Sequence, residues 1–307
     1  MHVIFQTTER KPVKTAKYQV LSVILRLLKS LFKSKTGTLG AFIVLFVSFV
    51  AVFADYLAPH NPTSTDAMNR LIPPSWQEGG TKDYILGTDN LGRDVLSRII
   101  YGSRVSLLVG ISSVVFAGAI GIIMGLIAGY YGKLLDTVIM RTVDAFLAIP
   151  NILFTLMVLA VLGPSSLTLI LVLGATTWVT YARMVRGEVL SVKERDYVRA
   201  AKSLGSKNTR ILFIHILPNV ISSFIVIATL NVASMIILEA SLSFLGLGIQ
   251  PPEVSWGSML SDGREYLATS WWVATFPGIA ITLTVLGIIF LGDWLRDTLD
   301  PRTDTKS

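Results

Sequence analysis

The sequence has no cysteine and few charged residues. None of its 307 residues is cysteine, which excludes disulfides, thiolate metal sites and a cysteine nucleophile. Only 15% of the residues are charged, whereas a soluble domain carries about a quarter. Hydrophobic residues make up 52% of the chain, and the mean hydropathy is +0.62. These values predict an all-α polytopic membrane protein that buries its apolar surface in lipid and between helices.

Nucleotide-binding and catalytic motifs are absent as well. No Gly-x4-Gly-Lys-Ser/Thr loop occurs, so the chain cannot cradle ATP phosphates by itself. The sequence has neither an HExxH motif nor a G-x-S-x-G motif. Its three histidines, His2, His60 and His215, lie far apart. We therefore expect no catalytic residue, no metal site and no cofactor held by this chain.

Six apolar runs approach the roughly 20 residues that cross a bilayer as a helix. The predicted spans are residues 38–56, 103–129, 145–162, 167–185, 220–239 and 273–291. The first run follows a long basic tail without a convincing small-residue cleavage site, so we expect no cleavable signal peptide. The chain divides into a basic tail (1–37), the first span with its outer loop (38–102), and a core of five spans (103–300).

Lysine and arginine are distributed unequally between the connecting segments. Counting along the chain places 21 of them on one side of the membrane and 6 on the other. Because cytoplasmic segments carry the excess of positive charge, both termini are expected in the cytoplasm and the loops 57–102 and 246–272 outside. Trp271 and Trp272 fit an interfacial aromatic belt at the start of the last span.

The basic tail contains an amphipathic segment, YQVLSVILRLLKSLFKSK, at residues 18–35. Its apolar residues recur at helical spacing, with Arg26, Lys29 and Lys33 among them. This pattern predicts a helix on the inner membrane surface, its cations near anionic headgroups. A plain cytoplasmic extension of the first span is the alternative.

A second basic stretch, YVRAAKSLGSKNTRILFIHILP, interrupts the apolar half of the chain at residues 197–218. Residues 196–204 can form a helix that ends at Gly205, because glycine tolerates the left-handed backbone of a helix C-terminus. Residues 206–216 can form a second helix, and Pro218 fits the first turn of the fifth span. The pattern predicts a hairpin, 196–218, at the cytoplasmic surface. An ordinary cytoplasmic loop is the alternative.

The hairpin resembles the cytoplasmic EAA loop of ABC-importer permeases, which docks into a groove of the ATPase subunit and transmits its motion. The positions that match the family pattern in register are Ala200, Ala201, Gly205, Leu217 and Pro218. Arg199 stands where the pattern has glutamate, and His215 where it has isoleucine. The resemblance implies a role in ATPase coupling for the matching positions and Arg199. Any salt bridge of the family's glutamate cannot be carried over, because Arg199 reverses the charge.

Three further stretches resemble the C-type permease subunit of dipeptide, oligopeptide and nickel importers. They are LGTDNLGRDVLSRIIYGSRVSLLVG (86–110), LEASLSFLGLGIQPPEVSWGSML (238–260) and FPGIAITLTVLGIIFLGDWLRDTLDPR (276–302). The resemblance extends over residues 35–302. It implies the type I ABC-importer fold, with six transmembrane helices in the bacterial cytoplasmic membrane.

The resemblance also implies a function and partners. The function is uptake of short peptides, dipeptides or oligopeptides, by alternating access. The partners are a homologous second permease, two ABC ATPases that bind ATP and magnesium, and an extracytoplasmic binding protein; no nucleic acid is involved. Nickel or other metal chelates, glutathione and antimicrobial peptides remain open as substrates. A secondary transporter is the competing class, but the predicted spans hold almost no ionisable groups away from their ends.

The outer-loop motif GTDNLGRD has the composition of a turn. We expect Asp89, Arg93 and Asp94 to have a structural role, with a docking surface for an external partner as the alternative. Residues 95–101 resemble a separate short helix at the outer surface, and Ser103 is a plausible N-cap for the second span.

Two more expectations concern the spans. Glu239 falls at the outer end of the fifth span, where a carboxylate needs a partner or water, so we expect it to pair with Arg93 or Arg104. Small residues also recur every four positions on the second span, which favours close helix packing within the subunit over a subunit interface. They are Ala117, Gly121, Gly125 and Gly129.

Overall fold

The computed structural model describes Leu25 and residues 27–299, and the regular elements in that range are helical. A short helix covers residues 27–33. The helices that follow are α1 (Lys35–Val52), α2 (Ala54–Leu57), α3 (Val95–Tyr131), α4 (Lys133–Leu147), α5 (Asn151–Leu162), α6 (Ser166–Lys193), α7 (Asp196–Ser203), α8 (Asn208–Phe244), α9 (Trp256–Gly263) and α10 (Trp272–Leu299). Residues 18–24 and 26 of the segment for which the sequence predicts a surface helix lie outside the described residues.

Five of these helices are long and apolar enough to cross a membrane, and the bent pair α4–α5 makes a sixth if it counts as one span. The all-α membrane fold expected from the sequence is confirmed. The third predicted span, 145–162, is wrong as a single helix, because α4 and α5 meet at 84°. Pro150 accounts for the break: it has no backbone N–H and disfavours a helical conformation at the residue before it.

Hydrogen bonds between distant residues define the two ends of the bundle. Tyr130 donates to the Asn208 side chain at 2.8 Å, close to the segment 194–207 that contains α7. We call this the hairpin end. The Trp272 indole donates to the Thr88 carbonyl at 3.0 Å, where the segments 57–94 and 245–271 meet. We call this the loop end.

Helices α3 and α6 pack closely along each other in the core. Three glycines of α3, Gly121, Gly125 and Gly129, face side chains of α6. A methyl group on these glycines would lie 2.4–2.7 Å from the Cβ atoms of Tyr181, Val185 and Val189, respectively. The four-residue spacing is the same on both helices, so the contact runs along one face of each. The expected packing within the chain is confirmed, because only a residue without a side chain fits there.

Helix α1 meets α10 through a similar close approach. A Cβ on Gly40 would lie 2.7 Å from the carbonyl oxygen of Gly287, and one on Gly37 would lie 2.7 Å from the Trp294 ring. Small residues therefore bring the N-terminal span against the last one near the hairpin end.

Helix α3 begins eight residues earlier than the sequence indicates. Asp94, not Ser103, caps its N-terminus, and the Asp94 carboxylate accepts the Ser97 N–H at 2.9 Å. Ser103 is buried and donates to the carbonyl of Ile100. A Cβ on Gly102 would lie 2.9 Å from the ring of Trp256. The glycine makes room for this tryptophan inside a continuous helix.

The predicted second helix of the hairpin is not separate from the fifth span. Helix α8 runs without interruption from Asn208 to Phe244 and is π-helical over Ile211–Ile216. The N–H of Leu217 donates to the carbonyl of Leu212, five residues back. This wider turn lets the helix continue through Pro218, which has no N–H to donate. Pro218 therefore lies within a helix and does not open one.

The glycine contact between α3 and α6 gives a first prediction. Gly125→Leu is expected to lower the free energy of unfolding by about 1–3 kcal/mol, because the new side chain overpacks the contact with α6. Thermal unfolding of the detergent-purified protein measures the change. Gly187→Leu is the matched control, since a Cβ on Gly187 of α6 meets nothing within 4 Å. Equal effects of the two substitutions would contradict the interpretation.

Candidate functional site

Helix α7 ends in a defined turn at Gly205. The Gly205 N–H donates to the Lys202 carbonyl at 3.0 Å, and the Ser206 N–H donates to the Ala201 carbonyl at 3.1 Å. These are the two hydrogen bonds of a Schellman motif. Gly205 has the left-handed φ of +77° that this motif requires. The turn fixes the direction in which the chain leaves α7 towards α8.

The inner face of α7 anchors the hairpin on the bundle. Val198 is 3% exposed and joins an apolar cluster formed by α6 and α8. The other buried members of that cluster are Val185, Val189, Val192, Ile211, Ile216 and Val220. At the base of the hairpin, the Asn219 side chain donates to the carbonyl of His215 at 2.7 Å. Helix α7 is therefore packed against both long helices that flank it.

The outer face of α7 is apolar in its centre and basic around it. Tyr197 is 44% and Leu204 is 86% exposed, and their spacing places both on one helix face with Ala200 and Ala201. The exposed cations of the hairpin segment are Arg195, Arg199, Lys202, Lys207 and Arg210. None of them takes part in an ion pair within the described residues. This face has the properties of a contact surface.

The structure divides the residues that the resemblance assigns to ATPase coupling into two groups. Arg199, Ala200, Ala201 and Gly205 lie on α7 or its terminal turn, and all but the half-buried Ala201 are exposed. Leu217 and Pro218 lie in α8, directly after the π-helical segment. The first group forms one surface. The second group lies in the membrane-spanning helix that follows this surface in the chain.

Four charged side chains fasten the long loop at the loop end. Asp89 is 1% exposed and accepts hydrogen bonds from Arg98 and, at 2.7 Å, from Arg93. Asp262 of α9 accepts from the same two arginines, at 3.0 Å from Arg93 and 3.1 Å from Arg98. We call these residues the four-charge cluster. Its two acids and two cations balance, and this balance makes the burial of Asp89 and Arg98 tolerable.

Thr88 and Asp94 complete the attachment of the loop. The Thr88 side chain donates to the Asn69 carbonyl at 2.5 Å, and its carbonyl accepts the indole N–H of Trp272. Asp94 caps α3, and His60 Nδ1 lies 3.5 Å from its carboxylate. Trp272 is only 5% exposed, so its assignment to an interfacial belt is wrong. Its indole is used inside the protein as a link between the loop and α10.

Glu239 lies among hydroxyl groups. It is fully buried; Ser243 donates to its Oε1 at 2.7 Å, and Ser106 to its Oε2 at 3.4 Å. The same two hydroxyl oxygens accept backbone N–H groups, of Ile249 and of Trp256, both at 3.3 Å. Glu239 therefore holds the segment 245–255 against α3.

The expected ion pair of Glu239 with an arginine is wrong. Arg93 belongs to the four-charge cluster, and Arg104 pairs with Asp55 at 3.1 Å. Arg104 also donates to the carbonyl of Ala51 at 3.0 Å, at the end of α1. Both arginines are occupied by other acids, Arg93 by Asp89 and Asp262 and Arg104 by Asp55.

A cavity of about 590 Å³ opens at the loop end beside α2. Its wall comes from residues 58–63, from the first turns of α3, and from residues 252–254. At its rim, the hydrogen bond from Arg104, together with one from Tyr101, lowers the pKa of Asp55. Glu253, on the other wall, accepts from Ser166 at 3.3 Å. The cavity joins the two segments for which the sequence predicts an outward position.

A family model described as the inner membrane component of binding-protein-dependent transport systems matches residues 121–305. The chain belongs to this family. A second model, described as the N-terminal transmembrane domain of oligopeptide transport permease C, matches residues 23–74. The resemblance to ABC-importer permeases is thereby confirmed, and the protein is an integral membrane component of a transport system.

Individual relatives cover most of the chain. The dipeptide transport system permease protein DppC of Escherichia coli (strain K12) is 47% identical over 270 residues, which are 88% of this chain and 90% of that protein. The di/tripeptide transport system permease protein DppC of Pseudomonas aeruginosa is 43% identical over 272 residues, again 88% and 90%. A dipeptide permease of Alkalihalophilus pseudofirmus is 40% identical and covers 95% of this chain and 94% of its own.

A crystal structure of an amino acid ABC transporter with histidines shares the fold. Its TM-score is 0.52 at 15% sequence identity, and the match covers 66% of this chain and 94% of that chain. At this identity the likeness supports the architecture of the permease core alone.

Sequence reasoning missed three residues that hold the loop end together: Arg98, Asp262 and Ser106. A signal for Arg98 was present, because a cation among apolar residues at a span's edge needs a partner. For Asp262 no local signal existed, since Arg98 lies 164 residues away in the sequence. The loop end is thus held together by contacts between the segments 57–94 and 245–271 and the start of α3.

The four-charge cluster gives a second prediction. Arg98→Met is expected to lower the free energy of unfolding by about 3 kcal/mol, because Asp89 stays buried with one cation fewer. Denaturation of the purified protein, followed by intrinsic tryptophan fluorescence, measures the loss. Lys82→Met, at an exposed position of the same loop, is expected to cost less than about 0.5 kcal/mol. A similarly small loss for Arg98→Met would show that the cluster contributes little.

Proposed function

We propose that this chain is the permease subunit of an ATP-driven importer that carries short peptides, dipeptides and tripeptides first, across the bacterial cytoplasmic membrane. The observation that carries the proposal is the identity of 47% and 43%, over 88% of the chain, to permeases named for dipeptide and di/tripeptide transport. The membrane-spanning helices supply the path through the bilayer. Oligopeptides, nickel chelates and glutathione are the other substrates to be tested.

In this proposal the hairpin end faces the cytoplasm and the loop end faces outward. The support is the distribution of charge, because the exposed hairpin cations agree with the excess of Lys and Arg in cytoplasmic segments. Two cytoplasmic ATPases bind below this chain and a homologous second permease. An extracytoplasmic binding protein delivers the substrate at the loop end.

The outer face of α7 is the contact with an ATPase. Leu204 and Tyr197 provide exposed apolar surface for a groove, and Arg199 with its neighbouring cations favours acidic groups at the groove's rim. Closure of the ATPases on ATP draws the hairpins of the two permeases together and opens the path outward; hydrolysis resets it. This chain performs no covalent chemistry, and ATP and magnesium belong to the ATPase subunits.

The function is tested with the chain and its partner subunits reconstituted in lipid vesicles. Labelled dipeptides and tripeptides are expected to accumulate when ATP is supplied, and not when only a proton gradient is applied. Preferred uptake of a nickel chelate or of glutathione would change the substrate. Uptake driven by the gradient without ATP would contradict an ABC importer.

The hairpin gives a further prediction in the same reconstituted system. Gly205→Pro removes the N–H that donates to the carbonyl of Lys202. A proline at this position also cannot adopt the φ of +77° that Gly205 has. Ala201→Trp adds bulk to the contact surface. Both variants are expected to lower uptake by roughly 5- to 150-fold, the range of a coupling free energy of about 1–3 kcal/mol, while ATP hydrolysis continues.

Gly163→Pro is the matched control for the glycine variant. Gly163 has a φ of +82° and donates to Leu159, but it lies at the loop end between α5 and α6. This control is expected to lower stability without separating hydrolysis from uptake. Normal uptake by both hairpin variants would rule out α7 as the coupling element.

A further inference from the structure

The bent pair α4–α5 is attached to α6 by two ion pairs near the hairpin end. Asp136 accepts two hydrogen bonds from the guanidinium of Arg186, at 2.5 and 2.7 Å. Asp144 accepts from Arg183 at 2.6 Å. Both acids lie on α4 and both arginines on α6, so the pairs connect the same two helices at two levels.

Apolar contacts add little to this attachment along α4. Val143 is the one side chain of α4 that is buried, and most of the remainder of the helix is exposed. The ring centroid of Phe146 lies 5.9 Å from that of Trp178 on α6 and 6.0 Å from that of Phe154 on α5. The aromatic contact lies beside the break between α4 and α5, and the two ion pairs lie earlier along α4.

The bidentate geometry of Asp136 with Arg186 fixes direction as well as distance. Two parallel N–H···O bonds hold the planar groups in one relative orientation, which a single contact does not do. The second pair lies about one turn away on α6 and about two turns away on α4, and it prevents α4 from turning about the first. Helix α4 is thus constrained to follow α6 as a unit.

Helix α6 leads directly into the hairpin. It ends at Lys193, and only two residues separate it from α7, which begins at Asp196. Lys193 also donates to the carbonyl of Gly129 at 3.1 Å, so the end of α6 is held against α3. Arg183 and Arg186 lie on the last turns before this junction, where a displacement of α7 arrives first.

We propose that the Asp136–Arg186 and Asp144–Arg183 ion pairs are positioning pairs that make α4 follow α6 when α7 is displaced. The angle between α4 and α5 at residues 148–150 then changes during the transport cycle. The proposal rests on the function proposed above, because α7 must be the element that the ATPase moves. The four residues act through α5 and need not touch the substrate.

The absence of cysteine allows a direct test by spin labelling. Leu134→Cys on α4 and Val161→Cys on α5 place labels at positions that are 75% and 81% exposed. The label-to-label distance is measured in the assembled transporter without nucleotide and with ATP trapped by vanadate, with the partner subunits freed of reactive cysteines. Trapping is expected to shift the distance in the otherwise unmodified chain.

The double variant Asp136→Asn, Asp144→Asn is expected to keep the nucleotide-free distance and ATP hydrolysis. It is expected to lose the distance shift and at least about nine-tenths of uptake. A tenfold loss of uptake corresponds to a coupling free energy of about 1.4 kcal/mol. Exchange of the partners of the first pair, Asp136→Arg with Arg186→Asp, leaves the second pair intact. Compared with Arg186→Asp alone, it is expected to restore the distance shift and uptake. Glu78→Gln neutralises an exposed acid of the loop 57–94 that forms no ion pair within the described residues, and it is expected to change neither the distance shift nor uptake. A purely structural role would instead change the nucleotide-free distance.

A shift that persists in the neutralised variant, or a fully active unmodified transporter without any shift, would overturn the positioning role alone. If the neutralised variant cannot be recovered, Arg186→Asp alone compared with the exchanged pair provides the same decision. Failure of the unmodified chain to bind an ATPase or to take up peptides would overturn the proposed function, and the positioning role with it.

Discussion

The close contact between α3 and α6 is the interaction on which the two ends of this protein depend. Helix α3 begins inside the loop network, at the residue after Asp94, and only two residues separate the end of α6 from the hairpin. Glycines on α3 leave no space between the helices, so α6 cannot rotate or slide locally without driving Val185 or its neighbours into the backbone of α3. Whatever displaces the hairpin must therefore move a packed pair of helices and not a single one. Rigid transmission of this kind needs a packed interior with discrete arrangements.

Charge is treated differently at the two ends. At the loop end, Asp89 and Arg98 are buried, and each has partners of opposite charge within the four-charge cluster. At the hairpin end, the exposed cations around α7 have no acidic partner within the described residues, and Leu204 is left in solvent. The charges of the loop end are satisfied by its own residues, whereas in the proposed function the hairpin end is completed by an ATPase subunit. This asymmetry is what a subunit needs if its force comes from a partner on one side.

Local chemistry allowed much of this protein to be predicted from its sequence. Composition predicted the membrane class, and the left-handed preference of glycine placed the end of α7 at Gly205. The four-residue repeat of small residues predicted the face of α3 that meets α6. Each of these depends on a residue's own conformational or steric properties, or on a period that a single helix imposes.

Contacts between distant segments could not be predicted in the same way. Trp272 has the composition of an interfacial residue, yet its indole meets the Thr88 carbonyl 184 residues away. Glu239 was expected beside an arginine because charge favours that partner, but Arg93 is already held by Asp89 and Asp262. The continuity of α8 through Pro218 depends on a π-helical turn, for which the sequence carries no local signal. Competition between partners is settled only by the fold.

The α4–α5 junction combines features that neither the tightly packed core nor the loop end shares. Its residues 147–151 are exposed, and the helix break leaves backbone groups without intrahelical partners. In hydrocarbon each such group would cost several kcal/mol, so irregular backbone at membrane depth is tolerated only against water or another protein chain. In the proposed function the break therefore faces the transport path or the second permease, not lipid. The break gives α4 and α5 a joint at which their angle can change, whereas α3 and α6 can move only as a packed pair.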